Sequence, residues 1–97
     1  MTTYITLYKL TDQGIRNIKD APQRIKDGIK AWEDMGGKTV GFYSTMGDYD
    51  YVGIAEAPDD ETVAAFLLQL GRLGNVKTTT LKAFTVEEFT NIVAKIP

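Results

Sequence analysis

The chain contains neither cysteine nor histidine. Without cysteine there can be no disulfide, thiol nucleophile or Cys-ligated metal, and without histidine the commonest general base and metal ligand is missing. Most familiar catalytic and metal-binding arrangements are therefore excluded. The sequence predicts neither a metal nor another cofactor.

Excess charge and long apolar runs are also missing. The chain has 11 basic and 13 acidic residues, a net charge of −2, and no Lys/Arg cluster of the kind that binds nucleic acid. No stretch approaches the roughly 20 apolar residues of a membrane span, and the first residues, MTTYITLYKL, do not resemble a signal peptide. We therefore expect a cytoplasmic protein of one domain, residues 1–97, that binds neither nucleic acid nor a membrane.

The stretch VGFYSTMGDYDYVGIAEAPDD, residues 40–60, predicts two β-strands joined by a tight turn at Gly47 and Asp48. Glycine tolerates the positive φ that such a turn requires. The turn predicts three pairs: Tyr43 with Val52, Gly41 with Ile54, and Thr39 with Glu56. Gly53 and Ala55 then share a face on which a helix can lie close.

Strands and helices alternate along the rest of the chain. A strand from Thr3 to Leu10 precedes a helix broken near Pro22, and a second helix follows the acidic run 59–61. A strand over 75–84 and a helix begun by the capping box of Thr85 and Glu88 complete the chain. This order predicts an α+β, ferredoxin-like βαββαβ fold with an extra C-terminal helix and a four-stranded antiparallel sheet. Strands one and three should lie in the middle, and both connecting helices should cover one side.

Two features favour structural roles. Trp32 shares a helical stripe with Ile25 and Ile29, which favours a place in the core over a ligand-stacking role. Carboxylates at 59–61 suit a helix N-terminus, and that role is favoured over a metal site.

The side of the sheet without helices should form an interface. By alternation we expect it to carry Tyr4, Thr6, Tyr8, Tyr43, Val52, Ile54, Thr78, Thr80 and Lys82, with Asp50 and Glu56 towards its ends. A patch this rich in aromatic and branched residues usually binds another protein surface. We therefore predict a homodimer joined sheet to sheet, with a larger assembly also open.

The run Thr45 to Val52, TMGDYDYV, followed by EAPDD at 56–60, resembles the GYD domain family. The flanks TYITLYKLTDQGIRNIKDAPQR and LGRLGNVKTTTLKAFTVEEF are similar to family members too, so the resemblance covers nearly the whole chain. It implies a ferredoxin-like protomer of the dimeric α+β barrel type, in a family whose activity is largely unassigned.

The motif has two interpretations. In the structural one, Gly47 and Asp48 form the turn and Asp50 accepts hydrogen bonds from hairpin amides. In the functional one, Asp50, Tyr43, Tyr8 and Lys82 converge at a cavity between subunits, where they orient a substrate or move a proton. The candidate ligand-binding residues are Tyr8, Tyr43, Asp50, Ile54 and Lys82.

Three functions stay open. The first is a binding or accessory module that holds a small organic ligand between stacked sheets. The second, by fold analogy, is a cofactor-independent enzyme, monooxygenase-like or isomerase-like, with Asp50 as base and Tyr8, Tyr43 and Lys82 as polarising donors. The third is a structural module that only associates with itself.

Overall fold

A computed structural model describes residues 1–97 as a four-stranded antiparallel sheet with helices. Its elements are β1 (Thr2–Leu10), α1 (Asp12–Arg16), a 3-10 turn (Ile18–Asp20), α2 (Ala21–Asp34), β2 (Lys38–Ser44), β3 (Tyr51–Ala57), α3 (Asp60–Leu73), β4 (Val76–Ala83) and α4 (Val86–Val93). The strand order is β2-β3-β1-β4. The ferredoxin-like arrangement, with strands one and three in the middle, is confirmed.

Local signals set the helix boundaries. Pro22 lies in the first positions of α2, where its missing N–H removes no helical hydrogen bond. The carboxylate of Asp59 accepts a hydrogen bond from a first-turn amide of α3, and Gly74 ends that helix with a φ of 82°. Thr85 and Glu88 form the predicted capping box at the start of α4.

The register of β2 on β3 is confirmed near the turn and differs further away. Tyr43 lies opposite Val52 and Gly41 opposite Ile54, as predicted. Thr39, however, lies opposite Ala55 and not Glu56, because the ladder shifts between Thr39 and Gly41. This irregularity shifts the pairing of the first residues of β2 by one residue relative to β3.

The connection between β2 and β3 is longer than a two-residue turn. The strands stop at Ser44 and start again at Tyr51, and the amide of Thr45 donates to the carbonyl of Asp50 at 2.9 Å. Gly47 has a φ of 102°, which supports its predicted role in the turn. The prediction of a two-residue turn is therefore wrong in the length of the connection, but it places Gly47 correctly at the turn.

The two faces of β1 are the reverse of the prediction. Tyr4, Thr6 and Tyr8 of β1 face the helices, because Tyr4 pairs with Ala55 and Tyr8 with Tyr51 on the helix-covered side of β3. The β4 residues that pair with them therefore also face the helices: Thr78, Thr80 and Lys82. The small residues of β3 leave room for phenol rings, and a Cβ on Gly53 would lie 3.4 Å from the Tyr8 ring.

The side without helices is more apolar than predicted. We call it the open face. At its centre lie Ile5, Leu7, Tyr43, Val52, Ile54 and Leu81. Tyr43 is 60% exposed and Leu81 48% exposed. Its ends carry Lys9, Lys77, Lys38 and Glu56.

A small core lies between the sheet and the helices α2 and α3. Its buried members are Tyr4, Trp32, Ala57, Val63 and Phe66. Trp32 is 6% exposed and its ring centroid lies 5.1 Å from that of Phe66, so its predicted core position is confirmed. The indole also lies against Gly37, where a Cβ would fall 2.0 Å from Trp32 Cε2.

The helix α4 has no buried residue. Phe89, Ile92 and Val93 of this helix are exposed apolar side chains, as is Ile96 after its end. No helix in the structure combines the length and the apolar character needed to cross a membrane.

Candidate functional site

Asp50 connects the β2–β3 loop to the end of β1 through two hydrogen bonds. Its Oδ2 accepts from the amide of Leu10 at 2.7 Å, and its own amide donates to the carbonyl of Tyr8 at 2.8 Å. Thr45 Oγ1 donates to the carbonyl of Tyr49 at 2.6 Å within the same segment. These contacts favour the structural interpretation of Asp50, although the amide it binds belongs to β1 and not to the hairpin.

The predicted convergence of Asp50, Tyr43, Tyr8 and Lys82 does not form within the protomer. Tyr8 and Lys82 face the helices, whereas Tyr43 and Ile54 lie on the open face. Asp50 contacts Leu10 at one end of β1. Lys82 lies opposite Tyr4, six residues before Leu10, which is about 20 Å along a strand. Within one protomer, the proposed base and its donors therefore share no common centre.

Lys82 belongs instead to a polar cluster at the N-terminus of α3. Its Nζ lies 3.2 Å from Asp60 Oδ1, and the same carboxylate accepts a hydrogen bond from the Tyr4 hydroxyl. The bond to Tyr4, assisted by Lys82, lowers the pKa of Asp60, while the same bond raises the pKa of Tyr4 to about 12. Sequence reasoning missed the Tyr4–Asp60 contact, because it joins elements 56 residues apart.

A cavity lies between the sheet and the helices α2 and α3. Its volume is about 380 Å³ and most of the side chains around it are apolar. Trp32 of α2 and Phe66 of α3 pack against each other and line it on the helix side. Tyr8, Phe42 and Tyr51 form an aromatic trio on the sheet side, with centroid separations of 5.5 to 6.2 Å. This volume lies in the range of small-molecule sites.

Burial beside this cavity raises the pKa of Tyr8 to about 12 from an ordinary value of 10.0. A raised tyrosine pKa stabilises the folded protein fully below pH 10, and the stabilisation is lost as the pH rises from 10 to 12. We expect the free energy of unfolding to fall by about 2 kcal/mol more in wild type than in Tyr8→Phe between pH 8 and pH 11.5. Urea unfolding at pH 8, 10 and 11.5 measures it, and parallel pH profiles for the two proteins would contradict it.

The open face is the second candidate site. Its six central side chains are apolar or aromatic, and Lys38 and Glu56 at one end approach each other at 3.7 Å. An apolar surface with charges only at its edges is typical of a protein–protein interface. The hydroxyl groups near its centre are those of Tyr43 and Thr79, and its charged side chains lie at the ends.

Comparison with known proteins finds relatives along nearly the whole chain. The GYD domain family matches residues 4–93. The curated "Glutamine synthetase and cystathionine beta-lyase binding protein" of Thermus thermophilus is 42% identical over 89 residues, which cover 91% of this chain and 94% of that protein.

Two crystal structures share the fold. MtbAldR superposes with a TM-score of 0.66 at 16% identity over 87% of this chain, which spans about half (53%) of the MtbAldR chain. TTHA0845 from Thermus thermophilus superposes with a TM-score of 0.57 at 24% identity, covering 89% of this chain and 96% of that chain. At these identities the likeness concerns the fold alone.

Proposed function

Since the chain belongs to the GYD domain family, we propose that it is a self-associating binding protein that acts by contact with partner enzymes rather than by catalysis. The observation that carries this proposal is the relative at 42% identity, named for binding two enzymes, which aligns with 91% of this chain. Of the functions predicted from the sequence, this one corresponds to the binding or accessory module.

The open face supports the self-association. Ile5, Leu7, Val52 and Ile54 form a continuous apolar strip across the two central strands, with Tyr43 and Leu81 on the outer strands. Apolar surface of this kind gains free energy when a second surface removes it from water. A two-fold axis would bring two such strips together, since an isologous contact uses the same patch twice.

The absence of a convergent centre weighs against the enzyme alternative. Asp50, the predicted base, accepts a backbone hydrogen bond, and Lys82 is paired with Asp60. A general base needs to lie within direct or single-water reach of its substrate proton and its partner groups. We therefore assign Asp50 to the loop and Tyr43 and Ile54 to the interface.

The enzyme partners are the testable part of this proposal. We expect the purified protein to bind glutamine synthetase or cystathionine β-lyase of its own organism saturably, in the nanomolar to micromolar range typical of specific complexes. Biolayer interferometry with the protein immobilised measures this, with an unrelated oligomeric enzyme of similar size as control. Equal responses to all three enzymes, or no response to either named enzyme, would contradict the proposal.

A further inference from the structure

The cavity between the sheet and the helices is lined by residues from every layer of the protomer. Tyr8 and Gly53 contribute from the sheet, Gly28 and Trp32 from α2, and Phe66 from α3. It lies entirely within one protomer and on the opposite side of the sheet from the open face. The proposed self-association therefore leaves it unfilled.

Gly28 leaves part of the cavity wall without a side chain. It lies on the inward stripe of α2, three residues after Ile25 and four before Trp32, where a large side chain would ordinarily fill the core. A Cβ built on Gly28 meets no atom within 4 Å. By contrast, a Cβ on Gly37 would collide with the Trp32 ring, so glycine there has a packing reason that Gly28 lacks.

The walls define the chemistry of an occupant. The aromatic trio of Tyr8, Phe42 and Tyr51 presents ring faces and edges to the space, and Ile25, Ile29 and Leu70 add aliphatic side chains. The Tyr8 hydroxyl makes no hydrogen bond within the protein, and a phenol is protonated at neutral pH, so it is free to donate a hydrogen bond to an occupant. Arg24 and Asp27 at the margin carry opposite charges.

We propose that this cavity is a binding site for an uncharged, largely apolar small molecule with a planar ring and one hydrogen-bond acceptor, which the Tyr8 hydroxyl meets. The occupant lies between Trp32 and the aromatic trio and removes from water the apolar surface that the helices and sheet leave unfilled. This places the predicted ligand role of Tyr8 inside one protomer rather than between subunits. It does not depend on the proposed enzyme partners.

The first test uses N-phenyl-1-naphthylamine, an uncharged probe that fluoresces in apolar surroundings. We expect one probe per protomer and energy transfer from Trp32, the single tryptophan of the chain. Gly28→Leu fills the cavity and should weaken binding at least tenfold. Gly71→Leu is the matched control, because Gly71 is an α3 glycine outside the cavity with the same open surroundings, so it should bind as wild type does.

The outcomes separate clearly. No saturable probe binding by wild type, or equal binding by Gly28→Leu and Gly71→Leu, would overturn the proposal. Failure of Gly28→Leu to fold while Gly71→Leu folds would also overturn it, since it would mean that the space at Gly28 is filled by protein. The same titration on Val52→Glu, a substitution at an open-face residue that does not line the cavity, should match wild type, which distinguishes this site from the open face.

The second test concerns the Tyr8 hydroxyl. Two displacing ligands of nearly equal shape, 2-acetylnaphthalene and 2-isopropylnaphthalene, differ by one carbonyl acceptor. We expect wild type to prefer the ketone and Tyr8→Phe to reduce that preference by about two- to tenfold, the effect of one net hydrogen bond. An unchanged preference in Tyr8→Phe would remove the hydroxyl from the site.

Discussion

Replacement of Trp32 by alanine is expected to lower the free energy of unfolding by about 3–5 kcal/mol. The indole is 6% exposed, packs near Phe66 and covers Gly37, so its loss would join a new void to the existing cavity. A typical domain has a total stability of about 5–15 kcal/mol. We therefore expect Trp32→Ala to be partly unfolded near physiological temperature.

Urea unfolding followed by far-UV circular dichroism measures the change without relying on tryptophan fluorescence. Leu68→Ala is the control, because Leu68 lies on α3 at 75% exposure and its truncation should change stability by no more than about 0.5 kcal/mol. A cost below about 1 kcal/mol for Trp32→Ala, far under the usual range for a buried tryptophan, would contradict the placement of the indole at the centre of the core.

Ile54→Glu is expected to convert the self-associated protein into a folded monomer. Ile54 pairs with Ile5 on one side and Gly41 on the other, at the middle of the open face. A carboxylate there would have to lose its water without gaining a partner, which costs several kcal/mol. We expect the dissociation constant of self-association to rise by at least about a hundredfold, or about 3 kcal/mol.

Size-exclusion chromatography with light scattering over a range of loading concentrations measures this shift. Ile15→Glu is the matched control, because it is the same substitution at an exposed isoleucine of α1, away from the open face. We expect Ile15→Glu to keep the wild-type mass. If both variants, or neither, change the mass, the open face is not the interface.

The parts of the fold that the sequence predicts correctly depend on short-range signals. Pro22, the capping box of Thr85 and Glu88, and the centre of the β2–β3 connection act through neighbours a few residues away. The element order then leaves few arrangements, since crossovers are right-handed and connections are short. The strand order and the single helix-covered side follow from those rules.

The faces of β1 could not be predicted in the same way. No tight turn joins β1 to β3 or β4, so nothing local sets which of its two alternating sets pairs with Ala55. Either alternating set of β1 could lie at an interface, since one set has Tyr4, Thr6 and Tyr8 and the other has Ile5 and Leu7. The small side chains of β3 decide between them, because the phenol rings need the space above Gly53.

The predicted convergence of site residues is absent from the protomer for the same reason. Alternation alone groups Tyr8 and Lys82 with Tyr43 and Ile54, whereas the sheet separates the two pairs. Lys82 finds its partner, Asp60, at the start of α3, a contact between elements that no sequence spacing indicates. The cavity beside Tyr8 is equally hidden from sequence reasoning, since its glycines come from separate elements.

Sedimentation equilibrium of the purified wild-type chain tests the central claim most directly, which is that the open face is covered by a second copy. We predict a mass of twice the protomer, or an even multiple of it, at micromolar concentration, with the amides of β1 and β3 protected from hydrogen exchange. A folded protein that stays at the protomer mass as its concentration rises to hundreds of micromolar would contradict the claim.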